Sequence, residues 1–268
     1  RVDGLYITGS TGETFLMSQE EKKQAIEIIV EEVNGRVPVI AHIGSIGTKI
    51  TTDLGQYAEK VGVDALSALP PFYYGFSNDE IFKYYADISD STNLPITVYN
   101  ITHANLMDLD MLKRLASIEN VKGVKYTAPT HFNFSKIKKE IGENFKIYSG
   151  MDEMALSGLI AGADGIIGSF YNLMPELFVE IYKQVKNNNI NEAKKIQEKI
   201  NIIIIYALKK SGYPFIKMGL KWLDVDSGYV RRPFNTITDT ENENSIINEL
   251  KILTKENDLT GIKFLETL

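Results

Sequence analysis

The chain contains no cysteine. Disulfides, zinc–thiolate centres and thiol nucleophiles are therefore excluded, and the redox compartment has to be inferred from other features. Histidine is scarce too. His42, His103 and His131 are the only three, and they do not stand in H-x-x-x-H or H-E-x-x-H spacing, so no metal is expected. No uncharged apolar run reaches the roughly 18 residues that a membrane helix requires. The opening residues RVDGLYITGS have neither the basic stretch nor the apolar centre of a secretory signal. A cytoplasmic location without a membrane partner is the expectation. The formal net charge is -6 and no basic face is clustered, which argues against a nucleic-acid partner. The GK[ST] ending of a phosphate-binding loop, G-x-G-x-x-G and G-x-S-x-G are all missing, and no cofactor is expected.

What the chain does have is a repeating pattern. Short apolar, β-branched runs each end in a polar or glycine-containing turn, and segments of helical period separate them. The runs are GLYIT (4–8), VPVIAH (37–42), DALSAL (64–69), PITVY (95–99), VKGVK (121–125), KIYSG (146–150) and GIIGS (165–169). Segment 18–34 opens with Ser18 and has Glu21 three residues later, a capping box, with Ala25, Ile28, Ile29 and Val33 read as its apolar stripe. Ser77 and Glu80 repeat the device ahead of Ile81, Tyr84, Tyr85 and Ile88. Nearly continuous apolar runs alternating with helices describe parallel strands covered on both faces. Beyond residue 170 the pattern is helical, over about 176–187, 190–211, 214–223 and 243–256. The expected fold is α/β, a (β/α) barrel over residues 1–172 with C-terminal helices over 173–268. Seven strands are one short of a (β/α)8 barrel, and a first βα unit preceding this sequence is expected. The tail LTGIKFLETL is not expected to supply the missing strand.

In parallel α/β folds the loops after the strand C-termini collect on one face and carry the chemistry. Lys125 ends the fifth run. It either snorkels into solvent or is buried, and burial favours the neutral amine that attacks a ketone. Tyr99 ends the run before it, where a phenol can either pack under a loop or move a proton. Residues 9–13, GSTGE, offer two hydroxyls and several backbone N–H groups between glycines. This is either an anion nest suited to a carboxylate or a tight turn. Asp152 and Glu153 either complement a helix N-terminus or accept hydrogen bonds from a polyhydroxylated substrate.

Six ordered motifs carry a resemblance over nearly the whole chain: GSTGE (9–13), PFYY (71–74), VYNI (98–101), GVKYTA (123–128), SGMDE (149–153) and GADGIIGSFYN (162–172). Together they resemble the N-acetylneuraminate lyase and dihydrodipicolinate synthase family. That resemblance implies a TIM barrel with C-terminal helices, assembled as a homotetramer, in which Lys125 forms a Schiff base and Tyr99 transfers protons. Ser10 and Thr11 would hold a pyruvyl carboxylate, and Ser10 with Tyr73 of a neighbouring subunit would complete a relay to Tyr99. Thr127, Gly150, Asp152, Glu153 and Ser169 match positions that contact the sugar portion in the lyases. GSTGE, the acidic pair and Ala104 where the synthases carry an arginine all favour the lyase branch, hence reversible cleavage of N-acetylneuraminate to N-acetylmannosamine and pyruvate. The alternatives are another pyruvate-dependent aldolase, namely dihydrodipicolinate synthase or 2-keto-3-deoxygluconate aldolase, and a non-catalytic 2-oxo acid binder. Segment 102–106, Thr102, His103, Ala104, Asn105 and Leu106, lacks the proline and glycine usual there, so the loop walling the pocket should differ.

Overall fold

A computed structural model describes residues 2–104, 106–237 and 240–268, Thr240 by its backbone alone. Of the altered segment after Tyr99, Asn105 lies outside the described residues. Seven strands, β1 (Leu5–Ile7), β2 (Val39–His42), β3 (Ala65–Ala68), β4 (Ile96–Ile101), β5 (Val121–Thr127), β6 (Lys146–Ser149) and β7 (Gly165–Ile166), form one sheet in sequential order. Every pairing is parallel. Helices α1 (Gln19–Val33), α2 (Thr48–Val61), α3 (Asn78–Asp90), α4 (Leu109–Ala116), α5 (Phe132–Ile141) and α6 (Ala155–Ile160) connect successive strands. This is a TIM-barrel-like α/β fold.

The described residues fall into two compact units. One comprises Val2–Met151 and Ser157–Ile167, and so carries the whole sheet; the other comprises Asp152–Leu156 and Gly168–Leu268. In the sheet unit, β4 has Ile96 to Asn100 buried and β5 has Gly123 to Tyr126 buried, as expected of strands covered on both faces. Ile26, Leu54, Leu66, Ile88, Val98, Val124, Phe134 and Ile147 belong to its core. Both capping boxes form: the Ser18 and Ser77 hydroxyls accept from the N–H groups of Glu21 and Glu80, whose carboxylates accept from the backbone N–H of Ser18 and Ser77. The expected stripe of α1 is wrong at one position. Ile28 is 65% exposed, and the buried face runs through Lys22, Ile26 and Val33. At about 100° per residue Ile28 lies on the far side from Ile26, and a basic residue occupies the inward place that apolar counting passes over.

The second unit is helical: α7 (Pro175–Lys186), α8 (Ile190–Lys209), α9 (Tyr213–Trp222), α10 (Thr240–Asn257) and α11 (Lys263–Glu266). Ile200, Ile203 and Ile204 of α8 are buried, whereas Ile205 in the same run points outward. No helix among the described residues is long and apolar enough to cross a membrane.

Candidate active site

Strand register alone assembles the site. Side chains alternate between the two faces of a strand, and residues paired across a parallel ladder share a face. His42 pairs with Ser67, Ser67 with Thr97, and Thr97 with Gly123; two residues on, Tyr99 pairs with Lys125. Tyr6 pairs with Ile40, two residues before His42. Tyr6, His42, Ser67, Tyr99 and Lys125 therefore lie on one face of the sheet.

Strands β4 and β5 extend two residues beyond the apolar runs, to Ile101 and Thr127, so Tyr99 and Lys125 sit inside their strands rather than at the rim. Lys125 is 7% exposed and does not snorkel to solvent. Its Nζ lies 3.8 Å from the ring centroid of Tyr99 and 5.0 Å from that of Tyr6. Burial pushes the Tyr99 phenol up, but the Lys125 ammonium and the hydroxyls of Ser10 and Thr127 outweigh it and hold the phenol below its ordinary value. Tyr6 responds in the opposite sense. Burial first, and then the neighbouring Tyr99, keep it well above the ordinary value, and its hydroxyl donates to Ser67 Oγ at 2.9 Å. His42 is pushed down to about 3 by burial and by the charges of Lys22 and Lys125, so it is neutral at ordinary pH.

The GSTGE turn follows β1 through Thr8, whose backbone is left-handed (φ 53°), a strained conformation for a β-branched residue. The Thr8 hydroxyl donates to the His42 carbonyl at 2.8 Å and ties the turn to β2. Glu13 and Thr14 donate their N–H groups to the carbonyls of Ser10 and Gly9, at 3.0 and 3.3 Å. The Glu13 amide is thereby spent closing the turn, so of the two readings of 9–13 the tight turn is made and an anion nest would lack that donor. Ser10 reaches the Tyr99 phenol, while Thr11 lies half-buried beside it in the chain. Tyr73 stands apart: it is 84% exposed on the loop after β3, its ring edge-on to Tyr74.

Gly150 donates its N–H to the Tyr126 carbonyl at 2.9 Å, and a Cβ at this position would collide with Thr127 Oγ1. Asp152, Glu153 and Ser169 belong to the helical unit. There Asp152 is buried and its Oδ2 accepts from the Ser169 N–H at 3.0 Å, while Gln197 donates to the Asp152 carbonyl. Glu153 is exposed. Among the described residues no group of three or more His, Asp or Glu is arranged to hold a metal ion. Sequence reading singled out neither Tyr6 nor Ser67 and treated His42 only as a metal candidate. The alternation of GLYIT, VPVIAH and DALSAL turns these side chains inward but does not separate a site residue from a core one.

The buried Lys125 nitrogen and the Tyr99 side chain thus stand together on adjacent parallel strands. The sequence model of the dihydrodipicolinate synthetase family matches residues 1–252, and the chain belongs to that family, whose members are pyruvate-dependent lyases. Among solved structures it is similar to N-acetylneuraminate lyase from Fusobacterium nucleatum, 38% identical with a TM-score of 0.87 over 95% of this chain and 86% of that one. It is also similar to CdNal from Clostridium difficile, solved in complex with mannosamine, at 34% identity and a TM-score of 0.89 over 96% and 87% of the two chains. A dihydrodipicolinate synthase from Bacillus anthracis matches at 27% identity, with a TM-score of 0.85 over 91% and 85%.

Proposed function

We propose that this chain is a class I aldolase that cleaves N-acetylneuraminate to N-acetylmannosamine and pyruvate through a Schiff base on Lys125. The observation that carries the reading is the buried Lys125 Nζ over the ring of Tyr99, with Ser10 at the phenol. Neutral Lys125 adds to the C2 ketone of the open-chain sugar acid, and loss of water leaves a protonated imine. Tyr99 then takes the C4 hydroxyl proton, the C3–C4 bond breaks, and its electron pair moves into the imine to give an enamine. N-acetylmannosamine leaves; protonation at C3 and hydrolysis release pyruvate and restore the amine. The hydroxyls of Ser10 and Thr11 hold the carboxylate. Thr127, Gly150, Asp152, Glu153 and Ser169 are assigned to the sugar portion by resemblance. Tyr73, too exposed to act within its own chain, is assigned to the relay of a neighbouring subunit in a homotetramer.

The lyase branch is preferred to the synthase branch because Ala104 stands where the synthases carry an arginine by resemblance, and because the chain is more nearly identical to the two lyases than to the Bacillus anthracis synthase. Borohydride reduction followed by peptide mass spectrometry tests the proposal. A reduced pyruvyl adduct on Lys125 is expected with either pyruvate or N-acetylneuraminate. An adduct with pyruvate alone moves the substrate to another 2-oxo sugar acid, and condensation of pyruvate with aspartate semialdehyde makes the chain a synthase. No adduct from folded protein leaves the non-catalytic 2-oxo acid binder.

A further inference from the structure

Lys125 is buried, and among the described residues no ion pair gives it a carboxylate. The ion pairs of the sheet unit join Lys23, Arg36, Lys49, Lys83, Lys113, Arg114, Lys138 and Lys146 to carboxylates, and none of them involves Lys125. What its Nζ meets instead is the Tyr99 hydroxyl, to which it hydrogen-bonds, and two rings, Tyr99 at 3.8 Å and Tyr6 at 5.0 Å from the centroids. Ring faces carry negative potential and attract a cation placed over them.

The Tyr6 ring is fixed in this position from two sides. Its hydroxyl is tied to Ser67 Oγ at 2.9 Å, and its edge meets the Tyr99 ring at 80° with centroids 6.2 Å apart. Gly9 leaves the room. A Cβ on Gly9 would stand 2.7 Å from Tyr6 Cε1 and 3.1 Å from Cδ1, although the Gly9 backbone is outside the left-handed region and needs no glycine for its own conformation. The first glycine of GSTGE thus serves the ring rather than the turn.

We infer that Tyr6, seated by Gly9 and Ser67, supplies the π-face that stabilises the positive charge formed on the Lys125 nitrogen in the imine, in place of a carboxylate counter-ion. The inference deepens the Schiff-base proposal and rests on it. A full negative charge beside Lys125 would hold the ammonium and oppose the neutral amine needed for attack, whereas a ring quadrupole attracts the imine cation more weakly and leaves both states accessible. His42, the third ring of this face, is neutral and adds no competing charge.

The test is the equilibrium constant for the pyruvate imine, read by borohydride trapping across pyruvate concentrations, in wild type, Tyr6→Phe, Tyr6→Leu and variants carrying phenylalanine analogues of increasing fluorine content at residue 6. Fluorination drains the ring face while keeping its shape. Tyr6→Phe is expected to stay within about threefold of wild type, with a stepwise fall across the fluorinated series to about tenfold and a similar loss in Tyr6→Leu. Gly9→Ala should weaken the imine in wild type but not in the Tyr6→Leu background, where there is no ring to displace. A flat fluorinated series, or a Tyr6→Phe as weak as Tyr6→Leu, overturns the π-face and leaves the Ser67 hydrogen bond as the function of Tyr6. Wild type that traps no pyruvate overturns the Schiff-base proposal itself, so the two failures are distinct.

Discussion

Tyr99 is a phenol on which opposing influences are unequal: burial raises it, and the neighbouring Lys125 charge leads the groups that bring it below its ordinary value. Replacing Lys125 by methionine keeps the bulk and removes the charge, so Tyr99 should ionise at higher pH in Lys125→Met than in wild type. The tyrosinate absorbance difference between the two proteins reads this directly. An unchanged titration would mean that the ammonium does not govern the phenol. Tyr99→Phe separates proton transfer from imine formation. It should lower kcat for cleavage by about 10²- to 10⁴-fold, the usual range for a general acid–base group, while the borohydride adduct with pyruvate still forms. Loss of the adduct in parallel with kcat would place Tyr99 in the formation of the imine instead. Of these residues, Lys125 and Tyr99 were singled out by motif, their position in the βα repeat being weak evidence by itself. Tyr6 was not, because nothing local distinguishes an inward tyrosine of a three-residue strand from a core aromatic; its partners Ser67 and Lys125 lie 61 and more residues away.

At the level of elements, the capping boxes of α1 and α3 are complete in both directions, each satisfying two N–H groups that a helix start leaves without intrahelical partners. Ser18→Ala and Ser77→Ala should each lower the unfolding free energy by about 1 kcal/mol in urea titrations, with no change in the pyruvate adduct. A loss well under half that value would show that water replaces the cap. Helix starts of this kind are readable because the cap and its partner are three residues apart. The facing of α1 is a different matter. Lys22 points inward, its ammonium 5.7 Å from the Phe15 ring centroid, and burial lowers its pKa. A lysine reads as solvent-facing in any apolar count, so the true stripe was displaced from the expected one by the chemistry of the neighbouring loop.

For the molecule as a whole, His42 links the site to stability. In the folded chain it is 1% exposed and pushed down to about 3, against the ordinary 6.5 of a histidine in the unfolded chain. Between these values the unfolded chain binds the proton and the folded chain does not, so the stability present above pH 6.5 is lost progressively as pH falls toward 3. This group should account for about 2 kcal/mol of the loss between pH 7 and pH 5. Urea unfolding of His42→Leu at the two pH values should show a smaller difference than wild type by that amount, and equal differences would remove His42 as the source. The reaction is likewise a property of the whole chain. If the lyase proposal holds, condensation should run with pyruvate and N-acetylmannosamine, and should not run with aspartate semialdehyde.

By itself the sequence determined the alternation of seven apolar runs with helices, the two capping boxes, and a lysine and a tyrosine at corresponding places in neighbouring βα units. All of these are local, resting on periods of two and 3.6 residues and on partners three residues apart. Tertiary structure alone decided that β4 and β5 run past Tyr99 and Lys125 and so bury them, that the Glu13 amide closes its own turn, and that Gly9 makes room for a ring. Those outcomes depend on which atoms from distant segments occupy the same space, and spacing along a chain carries no record of that until parallel register brings the strands together.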